Sequence, residues 1–118
     1  MDAAEREQKL KITHIPFDGG TVIELAGSAN MTEAALLKKQ LARALADSTG
    51  VVILDMKDLD FICSMSLGVL VALQHKFRPQ RGSFRLARVT AKVLDVFHTT
   101  RLDTLFEVFE SLDGAKSA

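Results

Sequence analysis

The chain has no tryptophan, no tyrosine, one cysteine, two prolines and no excess of either charge, with 15 Lys plus Arg against 15 Asp plus Glu in 118 residues. Each shortage excludes something. Without Trp or Tyr the usual platforms for stacking sugars or bases are missing, although seven Phe remain. A lone Cys63 forms no internal bridge, and with a charged start (MDAAEREQKL) where a secretory signal would be apolar, the chain is expected to be cytoplasmic. Net neutrality removes the overall attraction that general binders of nucleic acids or anionic membranes depend on. The longest charge-free apolar run, Phe61–Leu73, is thirteen residues with two serines. That is too short and polar for a membrane span, which needs about 20 apolar residues.

What remains is ordinary globular material, 47% hydrophobic and 25% charged. A chain of this length buries roughly two-thirds of its unfolded surface and needs no disulfide or structural metal to fold. No repeat or low-complexity tract divides it. Met1–Lys9 is charged and expected to fray, residues 10–112 form one domain, and Asp113–Ala118 is expected to be a tail.

Leu10–Ile15 alternates, ends at Pro16, and is followed by the turn residues Phe17-Asp18-Gly19-Gly20 and a second run, Thr21–Ala26, which predicts a hairpin. Gly27–Thr32 is a polar break, with Thr32 placed to cap a helix carrying Leu37, Leu41, Ala44 and Leu45 to about Asp47 and turning Lys38, Lys39 and Arg43 outward. Val51–Leu54 has no polar alternation, as in a strand covered on both faces. Leu67–Phe77 predicts a second helix ending near Pro79 and Gly82, Ser83–Arg88 a half-buried strand, and Thr90 the cap of a third helix with Val93, Leu94, Val96 and Phe97. Leu102, Leu105, Phe106, Val108 and Phe109 add an apolar turn and a short last strand. The order β-β-α-β-α-β-α with a short terminal element implies an α/β domain: one open mixed sheet of four to five strands with helices packed on it.

Catalytic constellations are lacking. There is no G-x-S-x-G elbow, no phosphate-cradling G-x-x-x-x-G-K-[ST] and no G-x-G-x-x-G. His14, His75 and His98 fall on three different predicted elements, and Asp55, Asp58 and Asp60 lack the Gly and Glu of a calcium loop and read as a solvated loop. No catalytic residue, metal or cofactor is assigned.

The informative stretch is Leu54–Leu73, LDMKDLDFICSMSLGVLVAL. A buried strand ends in an acid, a short loop returns Phe61 and Ile62 to the core, and Ser64-Met65-Ser66 opens a helix whose Gly68 permits close approach to the sheet. Ser64 at a helix start has two readings. It is a capping residue, or it is a hydroxyl whose phosphorylation the helix N-terminus would tolerate.

The pattern resembles the STAS domain family, which includes bacterial anti-sigma factor antagonists. The resemblance rests on Val51–Asp55, Phe61-Ile62 and Ser64-x-x-Leu67-Gly68-Val69-Leu70, with Phe84-Arg85-Leu86-Ala87, the closing Leu102–Phe109 and the upstream Leu25–Asn30 turn in the expected order. It implies a single STAS-like domain and a non-enzymatic regulatory protein. In phospho-regulated members the serine corresponding to Ser64 is phosphorylated by an anti-sigma factor kinase, and the modification ends binding. The resemblance implies an interface at Asn30, Met31, Cys63, Ser64, Met65 and Ser66 and a kinase-like anti-sigma factor as partner, with a homodimer as one option; neutrality and the short apolar run point to no direct nucleic-acid contact and no membrane insertion. Three positions depart from the family: Cys63 and Asn30 stand where acids are usual, and Ser66 where Gly is. The departures keep open a STAS accessory subunit that binds constitutively in a lipid-transport or stressosome-like assembly, and the resemblance leaves a nucleotide-binding protein as a third, lesser alternative. Met31 and Met65 suit an adaptable partner surface or the core equally.

Overall fold

The computed structural model describes residues 9–47, 50–77 and 84–118. An Asp18-Gly19 turn joins β1 (Lys11–Phe17) to β2 (Gly20–Ala29) as an antiparallel hairpin. Pro16 lies within β1, which tolerates it as an edge strand. Then β3 (Val51–Ile62), β4 (Phe84–Ala87) and β5 (Glu107–Phe109) each pair parallel to the strand before, giving the order β1-β2-β3-β4-β5. Gly20 is demanded by close approach, since a Cβ there would lie 1.9 Å from the Val51 carbonyl oxygen.

Parallel neighbours need crossovers, which α1 (Ala34–Asp47), α2 (Ser64–Phe77) and α3 (Ala91–Thr99) supply. Strands added in one direction by right-handed crossovers place all three helices on the same face. There Leu37, Leu41, Leu70, Val93 and Phe97 close over Ile23, Leu25, Leu54, Met56 and Leu86 in the main core. Phe106, just after a 3₁₀ turn (Leu102–Leu105), meets Phe84 and Phe97 edge-on with centroids 6.0 and 5.7 Å away. Thr90 caps α3 as expected, accepting the Val93 N–H at 3.3 Å. The opposite face carries a smaller cluster of Val22, Ile53, Ala87 and Ala115 under α4 (Leu112–Ser117), so Val51–Leu54 is indeed covered from both sides.

Several expectations are corrected. Asp113–Ala118 is largely helix: the Ser111 hydroxyl accepts the Gly114 N–H at 2.9 Å to start α4, and the Ala115 carbonyl accepts from Arg85 at 2.6 Å. Six residues are under two turns, too few for a periodic signal. Gly27–Ala29 belongs to β2 rather than to a polar break, and Thr32 lies inside a 3₁₀ turn (Met31–Glu33) instead of capping α1. Gly68 does not seat α2 on the sheet, since a Cβ there would meet nothing within 4 Å. Residues 1–8 of the segment expected to fray, together with Pro79 and Gly82, lie outside the described residues.

The largest correction concerns the three aspartates. Asp55, Asp58 and Asp60 are all within β3, which runs twelve residues. Asp55 is 3% exposed and receives both ends of the Arg88 guanidinium, Nε at 3.1 Å and a second N–H from Nη2. Hydrogen bonding to Asp55 pushes the Arg88 pKa up, against a smaller opposing effect of burial. Arg88 holds a left-handed backbone (φ 55°), an uncommon choice for a side-chain-bearing residue, at the point where the chain leaves β4. The pair therefore closes the β3–β4 edge of the α4 face. Arg88→Ala strands a buried carboxylate and is expected to cost about 3 kcal/mol in urea unfolding, the low end for a broken buried pair because Arg88 is itself partly exposed. The double variant Asp55→Asn/Arg88→Gln should lose less than Arg88→Ala alone. A larger loss in the double variant would refute this account of the pair.

Candidate functional site

The strands β2 and β3 stay paired to their last residues, Ala29 against Ile62, so the chain leaves both at the same level. The Cys63 N–H donates to the Ala29 carbonyl at 3.0 Å and binds the two exits together. From Ala29 the chain turns through Asn30 into the 3₁₀ turn, and from Ile62 through Cys63 into α2.

The capping of α2 falls to Cys63. Its carbonyl accepts the Leu67 N–H at 2.9 Å, and its sulfur accepts the Ser66 N–H at 3.4 Å, as an Asp or Ser oxygen would at an N-cap. The thiol points to Ser66 Oγ at 3.5 Å, and the Ser66 hydroxyl donates to the Asn30 carbonyl at 3.4 Å. Burial pushes the Cys63 thiol up, but its hydrogen bonding with the Ser66 side chain and with the Ser66, Met65 and its own amides outweighs this and leaves it below its ordinary value. Ser66 is completely buried. It is thereby corrected from an interface residue to an internal brace between the two turns.

Ser64 is left at the first position of α2, exposed, with no side-chain hydrogen bond among the described residues. The first turn carries no acidic residue, so the positive dipole end there faces outward without a competing carboxylate. Large apolar side chains lie exposed at the same end: Met31 is 65%, Met65 52% and Phe61 45% exposed. Both methionines thus belong to the surface. Phe61 was expected in the core. A register shift pairs Gly27 with Leu59 but Ser28 with Phe61, so Asp60 is an extra residue and the inward-outward alternation resets just before Phe61. Asn30 is half-buried; its carbonyl also accepts the Glu33 N–H at 3.0 Å, while its side chain makes no capping bond.

The other sequence candidates are scattered. His14 on β1 lies 3.1 Å from Gln40, His98 on α3 lies 2.9 Å from Asp103, and His75 is exposed on α2. No group of three or more His, Cys, Asp or Glu is placed to hold a metal among the described residues. No helix among them is long and apolar enough to cross a membrane. From Lys76 to Lys92 the sequence has six basic residues and no acid; among them Arg85 is engaged by Ala115 and Arg88 by Asp55, Lys76 and Lys92 are exposed on different helices, and Arg78 and Arg81 lie outside the described residues.

Comparison with known proteins follows this geometry. The family model described as STAS domain matches residues 9–115. BtrV of Bordetella bronchiseptica, named as a candidate anti-sigma factor antagonist, is 28% identical over 109 residues, covering 92% of this chain and 94% of BtrV. A crystal structure of an anti-sigma factor antagonist from Mycobacterium paratuberculosis superposes with a TM-score of 0.83 at 22% identity, covering 92% of each chain. The Bacillus cell fate determinant SpoIIAA in its phosphorylated form has the same fold, with a TM-score of 0.67 at 16% identity over 91% of this chain and 96% of that one.

The thiol network has a measurable signature. The iodoacetamide alkylation rate of Cys63 is expected to rise with a pH midpoint below that of the urea-unfolded chain, and Ser66→Ala should move the folded midpoint upward. Since folding lowers this pKa, the thiolate adds stability above the unfolded value, and that gain is lost as pH falls through the folded one. Coincident folded and unfolded midpoints would refute the assignment.

Proposed function

The chain belongs to the STAS domain family, and from that footing we propose that it works as an anti-sigma factor antagonist whose partner is a kinase-type anti-sigma factor and whose switch is Ser64. Unmodified, it binds that partner through the surface formed by Ser64, Met65, Met31 and the Asn30 turn. The partner then phosphorylates Ser64 and lets go. One observation carries the reading: Cys63 supplies the cap of α2, so the Ser64 hydroxyl is not consumed by the fold and stands free at an anion-tolerant helix start.

In the transfer, Ser64 Oγ attacks the γ-phosphorus of ATP held by the partner, the bond to the β-phosphate oxygen breaks to release ADP, and the hydroxyl proton passes to a base of the partner. No carboxylate or histidine of this chain is hydrogen-bonded to Ser64 among the described residues, so the chain acts as substrate and not as catalyst. The product carries a charge of about −1.5 to −2 at neutral pH. At the start of α2 that charge suits the helix dipole, so the fold is not strained. Against a partner packed over Met31 and Met65 the same charge must be desolvated, which opposes binding. The modification therefore acts on the complex and leaves the domain intact.

Incubation with the kinase-type anti-sigma factor of its own cell and ATP should add one phosphate mass, and Ser64→Ala should abolish it while still binding. Binding without any mass increment would replace the switch with a constitutive accessory subunit. Ser64→Asp is expected to lower affinity at least tenfold with an unchanged circular dichroism spectrum. Unaltered affinity would place the interface elsewhere.

A further inference from the structure

Beside the Ser64 surface, α1 and α2 leave an open groove of about 430 Å³ between them. Ala42, Val69, Ala72 and Leu73 form its apolar floor, Met65 stands at the Ser64 end, and Lys38 and Lys76 lie on its rim. From Met65 to Lys76 is eleven residues of helix, about 16 Å or three turns. A helix that is apolar on its outer side as well as its inner one is normally buried all round, yet here Val69 is only half-buried and Met65 and Ala72 are exposed.

Gly68 sharpens the point. It occupies the interior of α2, where Gly is less favourable than Ala because it loses more backbone freedom. A Cβ there would meet no atom within 4 Å, so nothing inside the protein requires its absence. The bare backbone opens into the groove and permits close approach from outside.

The charge around the groove is one-sided. α2 contains no Asp or Glu, and the sole acid of α1, Asp47, lines a different cleft with His14 and Arg43. Lys38 and Lys76 form no ion pair among the described residues. A second copy docking groove to groove would bring four lysines together, which disfavours self-association through this face.

We propose that the groove receives an acidic amphipathic helix of the anti-sigma partner, its apolar stripe lying over Gly68, Val69 and Ala72 and its carboxylates meeting Lys38 and Lys76. The proposal rests on the reading that this partner binds the Ser64 surface, with Met65 common to both contacts.

The test measures binding of the full chain to its kinase-type anti-sigma factor by calorimetry at low and high salt. Gly68→Leu fills the groove and, with no neighbour to displace, should keep the circular dichroism spectrum and an equal or higher thermal midpoint while lowering affinity tenfold or more. Lys38→Glu/Lys76→Glu should lower affinity at least tenfold and flatten its salt dependence. If both variants bind like the wild type while Ser64→Asp still weakens the complex, the groove is overturned and the Ser64 reading stands. If the wild type does not bind the partner at all, both fall. Self-association of the wild type that Gly68→Leu abolishes in sedimentation would assign the groove to a second copy and also overturn the proposal.

Discussion

The end of the molecule that carries Ser64 depends on one constraint, the pairing of β2 with β3 out to Ala29 and Ile62. β3 accommodates extra residues along the way, with register shifts between Glu24 and Ala26 and between Gly27 and Ser28, and the two strands still finish together. Only because they do can Cys63 donate to Ala29 and the Ser66 hydroxyl reach the Asn30 carbonyl. These bonds fix where α2 begins, and hence where Ser64 stands. The same shifts release Asp60 and Phe61 to the surface while returning Ile62 to the core.

Cys63 and Ser66, two of the positions where this chain departs from the family pattern, face inward in their chemistry. Cys63 caps α2 with a sulfur at a position where the family pattern has an acid, and Ser66 uses a hydroxyl to brace one turn against the other. Neither needs to touch a partner to matter. They hold the helix start that presents Ser64, and they do so without placing a fixed negative charge beside it. Under the proposed switch, a dianion arriving there would meet the positive end of the helix dipole instead of a carboxylate, and the modified domain would stay folded.

Much of this architecture was legible in residue order. The hairpin follows from alternation around Asp18-Gly19, the three crossover helices from their apolar spacing, and the α3 cap from Thr90. Around the proposed site, the strand, serine and apolar-helix block at Ser64 is legible in the sequence, whereas the exposure of Met31 and Met65 is not, since methionine suits surface and core alike. Other features were hidden for definite reasons. A bulge has no sequence signature strong enough to reset an alternation, so the local pattern ends β3 early and gives Asp55, Asp58 and Asp60 the look of a loop. Asp55 has its partner 33 residues away, at Arg88, and no local pattern announces such a pair. Ser66 and Ser64 are two residues apart on one helix turn, and which is buried depends on the neighbouring turn at Asn30.

Local periodicity and spacing determined by themselves that this chain is one α/β domain with a mixed sheet, and that the family resemblance is concentrated between Leu54 and Leu73. Those properties are written in short-range order, where each residue's preference acts on its neighbours. Tertiary structure alone decided that Cys63 caps α2, that Ser66 is sealed while Ser64 is free, that Phe61 is exposed, and that Gly68 opens onto a lysine-rimmed groove. Each of these depends on which strand ends meet and which helix faces are left uncovered, and such relations arise only when distant segments pack together.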